Sequence, residues 1–188
     1  MYRANNRRLN TIEKKLSGFS IPELMLVITI IGIAVAIIIP LSLSFIKSNR
    51  SDAYLKQVKS AAELARMTAM SQGVSAILCP VSDNDNCTTV TNDNWGNHPI
   101  KVFTREANGA DEILTTIDAP IAEDYVLWSG RPNVDYIEFR ANGFSSANGS
   151  LKYCTRFSNR NIFQANKKLV INRIGRIRLE NINPVQDC

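Results

Sequence analysis

The chain has 188 residues, of which 45% are hydrophobic, and its mean hydropathy is −0.10. This balance fits one globular domain plus a single apolar segment and excludes a polytopic membrane protein. The formal net charge of +5 gives no argument for a nucleic-acid partner, because residues 1–18 contain five basic side chains and one acid, which leaves +1 for the remainder.

Residues 24–46 contain no charged side chain. As a helix they would extend about 34 Å, enough to cross a bilayer core of about 30 Å. A secretory signal sequence fits less well, because the run is too long and no small-x-small cleavage site follows it; a buried core helix fits less well still. Basic residues precede the segment, so the positive-inside rule predicts a cytoplasmic N-terminus and an exported remainder.

After this segment, apolar residues recur at steps of three and four, which predicts that the helix continues as an amphipathic helix with one face against a domain. We expect it to end near Gly73. The apolar stripe consists of Leu55, Val58, Ala62, Ala65 and Ala69.

The pattern then changes to short β-rich runs separated by Asn, Gly, Asp and Pro. The runs are VSAIL, IKVF, EILTTI, YVLW, YIEFR, LKYCTRF, KLVI and RIRL. They predict seven or eight antiparallel strands in two small sheets on the end of the long helix. The predicted fold class is therefore α+β.

All four cysteines lie in the predicted exported part, where disulfides persist. Four cysteines allow three pairings. We favour Cys79–Cys87, which closes a short polar loop, and Cys154–Cys188, which ties down the last residue.

A metal site or an enzyme is a weaker interpretation. The cysteines lack Cys-x-x-Cys spacing and His98 is the only histidine, which argues against zinc. The Asp-Asn-Asp-Asn run at 83–86 lacks the glycine and distal glutamate of a calcium-binding EF-hand loop. We find no nucleophile–base pair or phosphate loop and predict no enzyme activity, metal or cofactor.

The stretch GFSIPEL places Glu23 at the mouth of the apolar segment, just after a Gly-Phe step. It resembles the prepilin peptidase site of type IV pilin-like proteins. The resemblance implies cleavage after Gly18, methylation of Phe19 as the new N-terminus, and a role of Glu23 in assembly. A carboxylate in apolar surroundings needs a partner, and the N-terminal amine of a neighbouring subunit offers one.

On this resemblance the chain divides into a leader peptide, a transmembrane half-helix, a periplasmic half-helix and a β-rich domain, at residues 1–18, 19–46, 47–72 and 73–188. The implied location is the inner membrane, crossed once with the domain in the periplasm, and later a pilus or the surface of a Gram-negative bacterium. The implied partners are prepilin peptidase, the inner-membrane assembly platform, and major and other minor pilins.

The stretch LKQVKSAAELARMTAMSQGVSAILCP narrows the family. It resembles the FimT/GspH-like minor pilins and pseudopilins, in which an Ala-Arg-x-x-Ala helix end precedes a strand and a Cys-Pro pair. The matching residues are Ala65, Arg66, Ala69, Cys79 and Pro80. The stretches NWGNHPIKVF and YIEFRANGFSS resemble the family's Trp-loop-strand and Phe-x-x-x-Gly elements less specifically.

Charge is distributed unevenly along the domain. Residues 81–138 contain eleven acids and three bases, a net charge of −8, and residues 139–188 contain nine bases and two acids, a net charge of +7. Such asymmetry suggests a basic face for an anionic partner. Alternatively, the two segments fold side by side and neutralise each other.

The stretch GRIRLE favours a basic face. In a strand Arg176 and Arg178 would project to one side, and Gly175 permits a tight turn before them, making a basic hairpin beside Cys188. The stretch resembles the C-terminal Gly-Arg-x-Arg motif of FimT-type members, which are linked to DNA uptake in natural transformation. By position, the resemblance implies DNA binding by these three residues; from charge and nearness in sequence we add Arg160, Lys167, Lys168 and Arg173.

The predicted partner is double-stranded DNA, bound through its phosphate backbone without sequence preference, because guanidinium groups suit phosphate and the hairpin has few aromatics for stacking. Three alternatives stay open: a solvated edge hairpin whose charges prevent aggregation, a structural minor pilin that primes or caps the pilus, and a minor pseudopilin of type II secretion that contacts secreted proteins.

Overall fold

The computed structural model describes residues 20–82, 86–90, 93–105, 111–121, 124–130, 135–157 and 162–188. The predicted processing residues Gly18 and Phe19, the predicted DNA-binding Arg160, and most of the acidic run at 83–86 lie outside these ranges. The chain forms two compact units, Met1–Ser42 and Leu43–Cys188.

One long helix, α1, covers Ile21–Gln72. Its first turn contains Pro22, which is tolerated there because the first amide groups have no partner within the helix, and Glu23, whose charge complements the helix N-terminus. The helix ends at Gln72, where Gly73 adopts φ 71° and its N–H donates to the Ala69 carbonyl at 3.0 Å. Within the described residues, no helix has the length and hydropathy needed to cross a membrane.

Eight antiparallel strands follow the helix: β1 Ser75–Pro80, β2 Ile100–Arg105, β3 Asp111–Ile117, β4 Tyr125–Gly130, β5 Ile137–Phe139, β6 Gly149–Phe157, β7 Ile162–Ile171 and β8 Ile177–Asp187. They form two four-stranded sheets with the orders β3-β2-β1-β5 and β4-β6-β7-β8. The predicted α+β class with two small sheets is confirmed. β8 extends well beyond the predicted RIRL run, through Pro184.

The apolar stripe of α1 forms one side of the core. All five predicted members, Leu55, Val58, Ala62, Ala65 and Ala69, are completely buried. They pack with inward-facing residues of both sheets, such as Leu78 of β1 and Leu151 of β6. Three alanines in the stripe let the strands approach the helix closely, and burial of the larger side chains supplies the hydrophobic stabilisation.

Both disulfides have the pairing that we favoured. Cys79 bonds to Cys87 with a Cα–Cα distance of 5.6 Å, and Cys154 bonds to Cys188 at 6.2 Å. Each belongs to a small apolar cluster distinct from the main core. Because such bonds restrict the unfolded chain, they stabilise the folded domain.

A buried carboxylate connects α1 to the second sheet. Asp124, whose side chain is 4% exposed, accepts hydrogen bonds from Arg50 Nη1 at 3.2 Å and from the Tyr153 hydroxyl at 2.8 Å. The Tyr153 ring lies 5.1 Å from that of Tyr54. Burial, and next the hydrogen bond to Asp124, raise the pKa of Tyr153, so the hydroxyl remains a donor at physiological pH.

We predict that Asp124→Ala lowers the free energy of unfolding by about 2 kcal/mol, because it leaves the Tyr153 hydroxyl without its acceptor. Tyr153→Phe should cost about 1 kcal/mol, since Asp124 keeps its bond to Arg50. Urea unfolding of both variants measures the difference; equal stability of the Asp124 variant and the wild type would contradict it.

Candidate functional site

The predicted basic hairpin turns at Asn172–Arg176, between β7 and β8. Gly175 has φ 74°, and its N–H donates to the Asn172 carbonyl at 2.8 Å. Asn172 also closes the turn with its side chain, whose Oδ1 accepts from the Arg176 N–H at 3.0 Å. These bonds fix the backbone that carries Arg173 and Arg176, both of which have exposed side chains.

A second turn, Arg140–Phe144 between β5 and β6, packs against the first. The Gly143 N–H donates to the Arg140 carbonyl at 2.7 Å, and the Arg140 N–H donates to the Phe144 carbonyl at 2.9 Å. Ser145, which follows this turn, donates its N–H to the Arg173 carbonyl at 2.9 Å. The two turns therefore form one surface, although thirty residues separate them in sequence.

The side chain of Arg66 in α1 completes this junction. Its Nε donates to the Gly143 carbonyl at 3.0 Å. A Cβ added to Gly175 would lie 2.0 Å from the same carbonyl oxygen and 2.7 Å from Arg66 Nε, so only glycine fits. The Ala-Arg-x-x-Ala, Phe-x-x-x-Gly and Gly-Arg-x-Arg elements of the sequence thus meet at one point.

Three of the predicted DNA-binding residues form ion pairs. Arg178 Nε lies 2.5 Å from Glu180 Oε1, and Lys168 Nζ lies 3.4 Å from Glu180 Oε2. Lys167 pairs with Asp52 of α1, which also accepts from Lys56 at 2.7 Å. The neutralising carboxylates thus belong to α1 and β8 and not to the acidic segment 81–138.

Arg173 and Arg176 differ from these three residues. Within the described ranges, neither guanidinium group has a carboxylate within 4 Å, and the same is true of Arg66. Arg140 has only a distant contact, with its Nε 3.9 Å from Glu138 Oε2. Among the described residues, four arginines without a close carboxylate therefore lie together at the two turns: Arg66, Arg140, Arg173 and Arg176.

The structure places Cys188 beside the far end of the predicted hairpin and away from its turn. Arg176 directly precedes β8, and Cys188 directly follows this eleven-residue strand. β8 bulges where it pairs with β7, so its ends, Ile177 and Asp187, lie opposite Ile171 and Gln164. Seven steps of about 3.3 Å then place the two ends of β8 about 23 Å apart. The Cys154–Cys188 disulfide secures the far end of the hairpin, whereas the Arg66 junction secures the turn.

Open grooves lie elsewhere on the domain. One of about 510 Å³ includes Gln57, Leu64 and Thr115 in its lining, and one of about 280 Å³ includes Cys87 and Tyr136. Neither groove is lined by a residue of the two turns. In the part of the chain that the structure describes, no three His, Cys, Asp or Glu side chains group as a metal site requires.

The Asp52–Lys167 pair predicts a pH dependence of stability. Hydrogen bonds from Lys167 and then Lys56 hold the pKa of Asp52 below its ordinary value of 3.8. The contribution of this ion pair to the stability of the fold is thus fully present above the pKa that Asp52 has in the unfolded chain. It is lost as pH falls through the lower pKa that Asp52 has in the folded chain. Asp52→Asn should lower the free energy of unfolding by at most about 1 kcal/mol above pH 5, and the difference from wild type should shrink below pH 4.

Urea unfolding at a series of pH values measures this difference. Lys167→Gln is the matched control, and it should cost less than Asp52→Asn because Lys56 still pairs with the carboxylate. A difference between wild type and Asp52→Asn that stays constant down to pH 2 would contradict the assignment.

Gly175→Ala should destabilise the domain more than Gly73→Ala. Both glycines have a positive φ, so each alanine incurs about 1 kcal/mol of backbone strain. At Gly73 the added methyl group meets nothing within 4 Å, whereas at Gly175 it collides with the Gly143 carbonyl and displaces the second turn. We expect about 2 kcal/mol more for Gly175→Ala in thermal or urea unfolding; equal costs would argue against the junction.

Comparison with known proteins agrees with this fold. The family described as Type II transport protein GspH matches residues 55–175. Two crystal forms of the type IV minor pilin FimU from Pseudomonas aeruginosa strain PAO1 are structurally similar, with TM-scores of 0.53 and 0.51 and identities of 19% and 18%. The matches cover 76% and 72% of this chain and 96% of each FimU chain.

No curated protein matches the sequence. The likeness to FimU shows the fold alone, but the family match covers more than half of the chain. The chain therefore belongs to the GspH family of type IV pilin-like minor pilins and pseudopilins.

Proposed function

We propose that this minor pilin captures extracellular double-stranded DNA for uptake in natural transformation. The observation that carries the proposal is the exposure of Arg173 and Arg176 on a fixed turn without a neighbouring carboxylate in the described residues. The resemblance of Gly175, Arg176 and Arg178 to the motif of FimT-type members supports it. Arg178 contributes less, because it pairs with Glu180.

The chemistry of the turn suits phosphate. A guanidinium group forms paired hydrogen bonds with phosphate oxygens, which an ammonium group cannot do. Backbone contacts carry no sequence information, as indiscriminate uptake requires. A few such contacts give weak binding with a Kd in about the micromolar range, and several subunits in one filament would add avidity.

The proposal includes an anchored and processed N-terminus. Most large apolar side chains of the first turns of α1, from Ile21 to Ile37, are exposed. Such a surface requires lipid before assembly and neighbouring pilins afterwards. We therefore propose insertion in the inner membrane, cleavage after Gly18 and methylation of Phe19 by prepilin peptidase, and pairing of Glu23 with a neighbour's N-terminal amine. The assembly platform and the major and other minor pilins are the proposed partners, in the periplasm and then the pilus.

A second candidate function is a purely structural or secretory one. The family description, a type II transport protein, supports a minor pseudopilin of type II secretion that contacts secreted proteins. A minor pilin that primes or caps the pilus has the same fold. In both cases Arg173 and Arg176 would only keep the sheet edge soluble.

The test uses the full chain in nonionic detergent, titrated against two unrelated fluorescent duplexes at low and moderate salt. Arg173→Gln combined with Arg176→Gln should weaken binding to both duplexes at least tenfold and reduce the salt slope by about 2, one unit for each lost phosphate contact. Arg178→Gln is the matched control and should weaken binding less, because Glu180 already neutralises this side chain.

Glu180→Gln is a second variant for the same titration, and it should strengthen DNA binding. The substitution removes the carboxylate shared by Arg178 and Lys168, so binding should become tighter and more salt-dependent. If the variant with both arginines replaced binds DNA as the wild type does, the DNA-binding site lies elsewhere in the basic segment 139–188. No binding to either duplex at low salt would favour the structural or secretory function.

A further inference from the structure

An exposed aromatic residue belongs to the same two turns as the exposed arginines. Phe144 is 53% exposed, although phenylalanine usually lies in the core. It belongs to the Arg140–Phe144 turn, and its neighbour Ser145 donates to the Arg173 carbonyl at 2.9 Å. Thirty residues separate Phe144 from the Gly-Arg-x-Arg motif, so the sequence alone suggested a hairpin with few aromatics.

We infer that this surface binds nucleic acid with unpaired bases, a single strand or a frayed duplex end, more tightly than a closed duplex. Phe144 stacks on one exposed base, while Arg173 and Arg176 contact the flanking phosphates. The inference rests on the proposed function and specifies which form of DNA the same site prefers.

Hydrogen bonds fix the backbone that carries the ring. The Phe144 N–H donates to Asn142 Oδ1 at 3.1 Å, and its carbonyl accepts from the Arg140 N–H at 2.9 Å. The carbonyl of the adjacent Gly143 accepts a hydrogen bond from Arg66 Nε. Because the backbone on both sides of Phe144 is fixed, little backbone freedom is lost when a base stacks on the ring.

The charge around the ring selects an anionic partner. The two turns, residues 140–145 and 172–176, contain three arginines and no acidic residue. Their other large exposed apolar side chain, Ile174, is 60% exposed and follows Arg173 directly. Nucleic acid with unpaired bases combines phosphates with apolar aromatic faces, and stacking on an aromatic side chain is tolerant of sequence. In a closed duplex those faces are stacked inside the helix and cannot be reached.

The experiment compares three probes of equal nucleotide concentration: a non-pairing single strand, an abasic strand with the same phosphodiester backbone, and a relaxed circular duplex without ends. The protein is the full chain in nonionic detergent, and fluorescence anisotropy gives each Kd. The wild type should bind the single strand about tenfold more tightly than the abasic strand, because the backbone charge is the same and only stacking differs.

Two substitutions isolate the ring. Phe144→Leu keeps an apolar side chain and should lose the tenfold preference for the single strand, while its affinity for the abasic strand and the circular duplex stays unchanged. Phe144→Tyr keeps the aromatic face and should retain the preference. Position 144 is exposed, and the hydrogen bonds of its turn come from the backbone and from Asn142. Neither substitution should therefore disturb the fold, and thermal unfolding checks this.

The outcomes separate the two proposals. Equal affinity of the wild type for the single strand and the abasic strand overturns the stacking inference, and if duplex binding still depends on Arg173 and Arg176, the proposed function stands. Equal weakening of all three probes by Phe144→Leu also overturns it, since the ring would then only shape the turn. If none of the three probes binds, both the proposed function and the stacking inference are overturned.

Discussion

The contact between the Gly143 carbonyl, Arg66 Nε and the backbone of Gly175 determines how the C-terminal hairpin is presented. A carbonyl at a turn needs a donor, and the helix supplies one from a position that the apolar stripe holds firmly. Because Gly175 has no Cβ, the backbones of the two turns can approach to van der Waals contact. The exposed arginines are therefore placed by the helix, although they lie more than one hundred residues after it in sequence.

Charge at this surface is decided by local pairing rather than by composition. Lys168 and Arg178 share Glu180, and Lys167 reaches Asp52 on the helix. These pairs stabilise the attachment of β7 and β8, although each contributes little free energy because the groups are partly exposed. The turn projects beyond these carboxylates, which leaves Arg173 and Arg176 available to a partner.

Most contacts that stabilise the domain lie away from the guanidinium groups of the turn. The core depends on the alanine-rich stripe of α1 and on the inward faces of two sheets. Asp124 and the two disulfides secure the periphery of that core. Since none of these contacts involves the side chains of Arg173 or Arg176, a change of either side chain can alter binding without weakening the fold.

Local periodicity along the chain predicts the elements: the apolar stripe of α1, its end before Gly73 and the eight strand runs. The family resemblance also followed from contiguous motifs. Which cations are available depends on tertiary contacts, because the Lys167–Asp52 pair and the hydrogen bond from the Ser145 N–H to the Arg173 carbonyl join segments far apart in sequence. The eleven-residue length of β8, which places Cys188 far from the turn, likewise depends on pairing with β7 that no local pattern records.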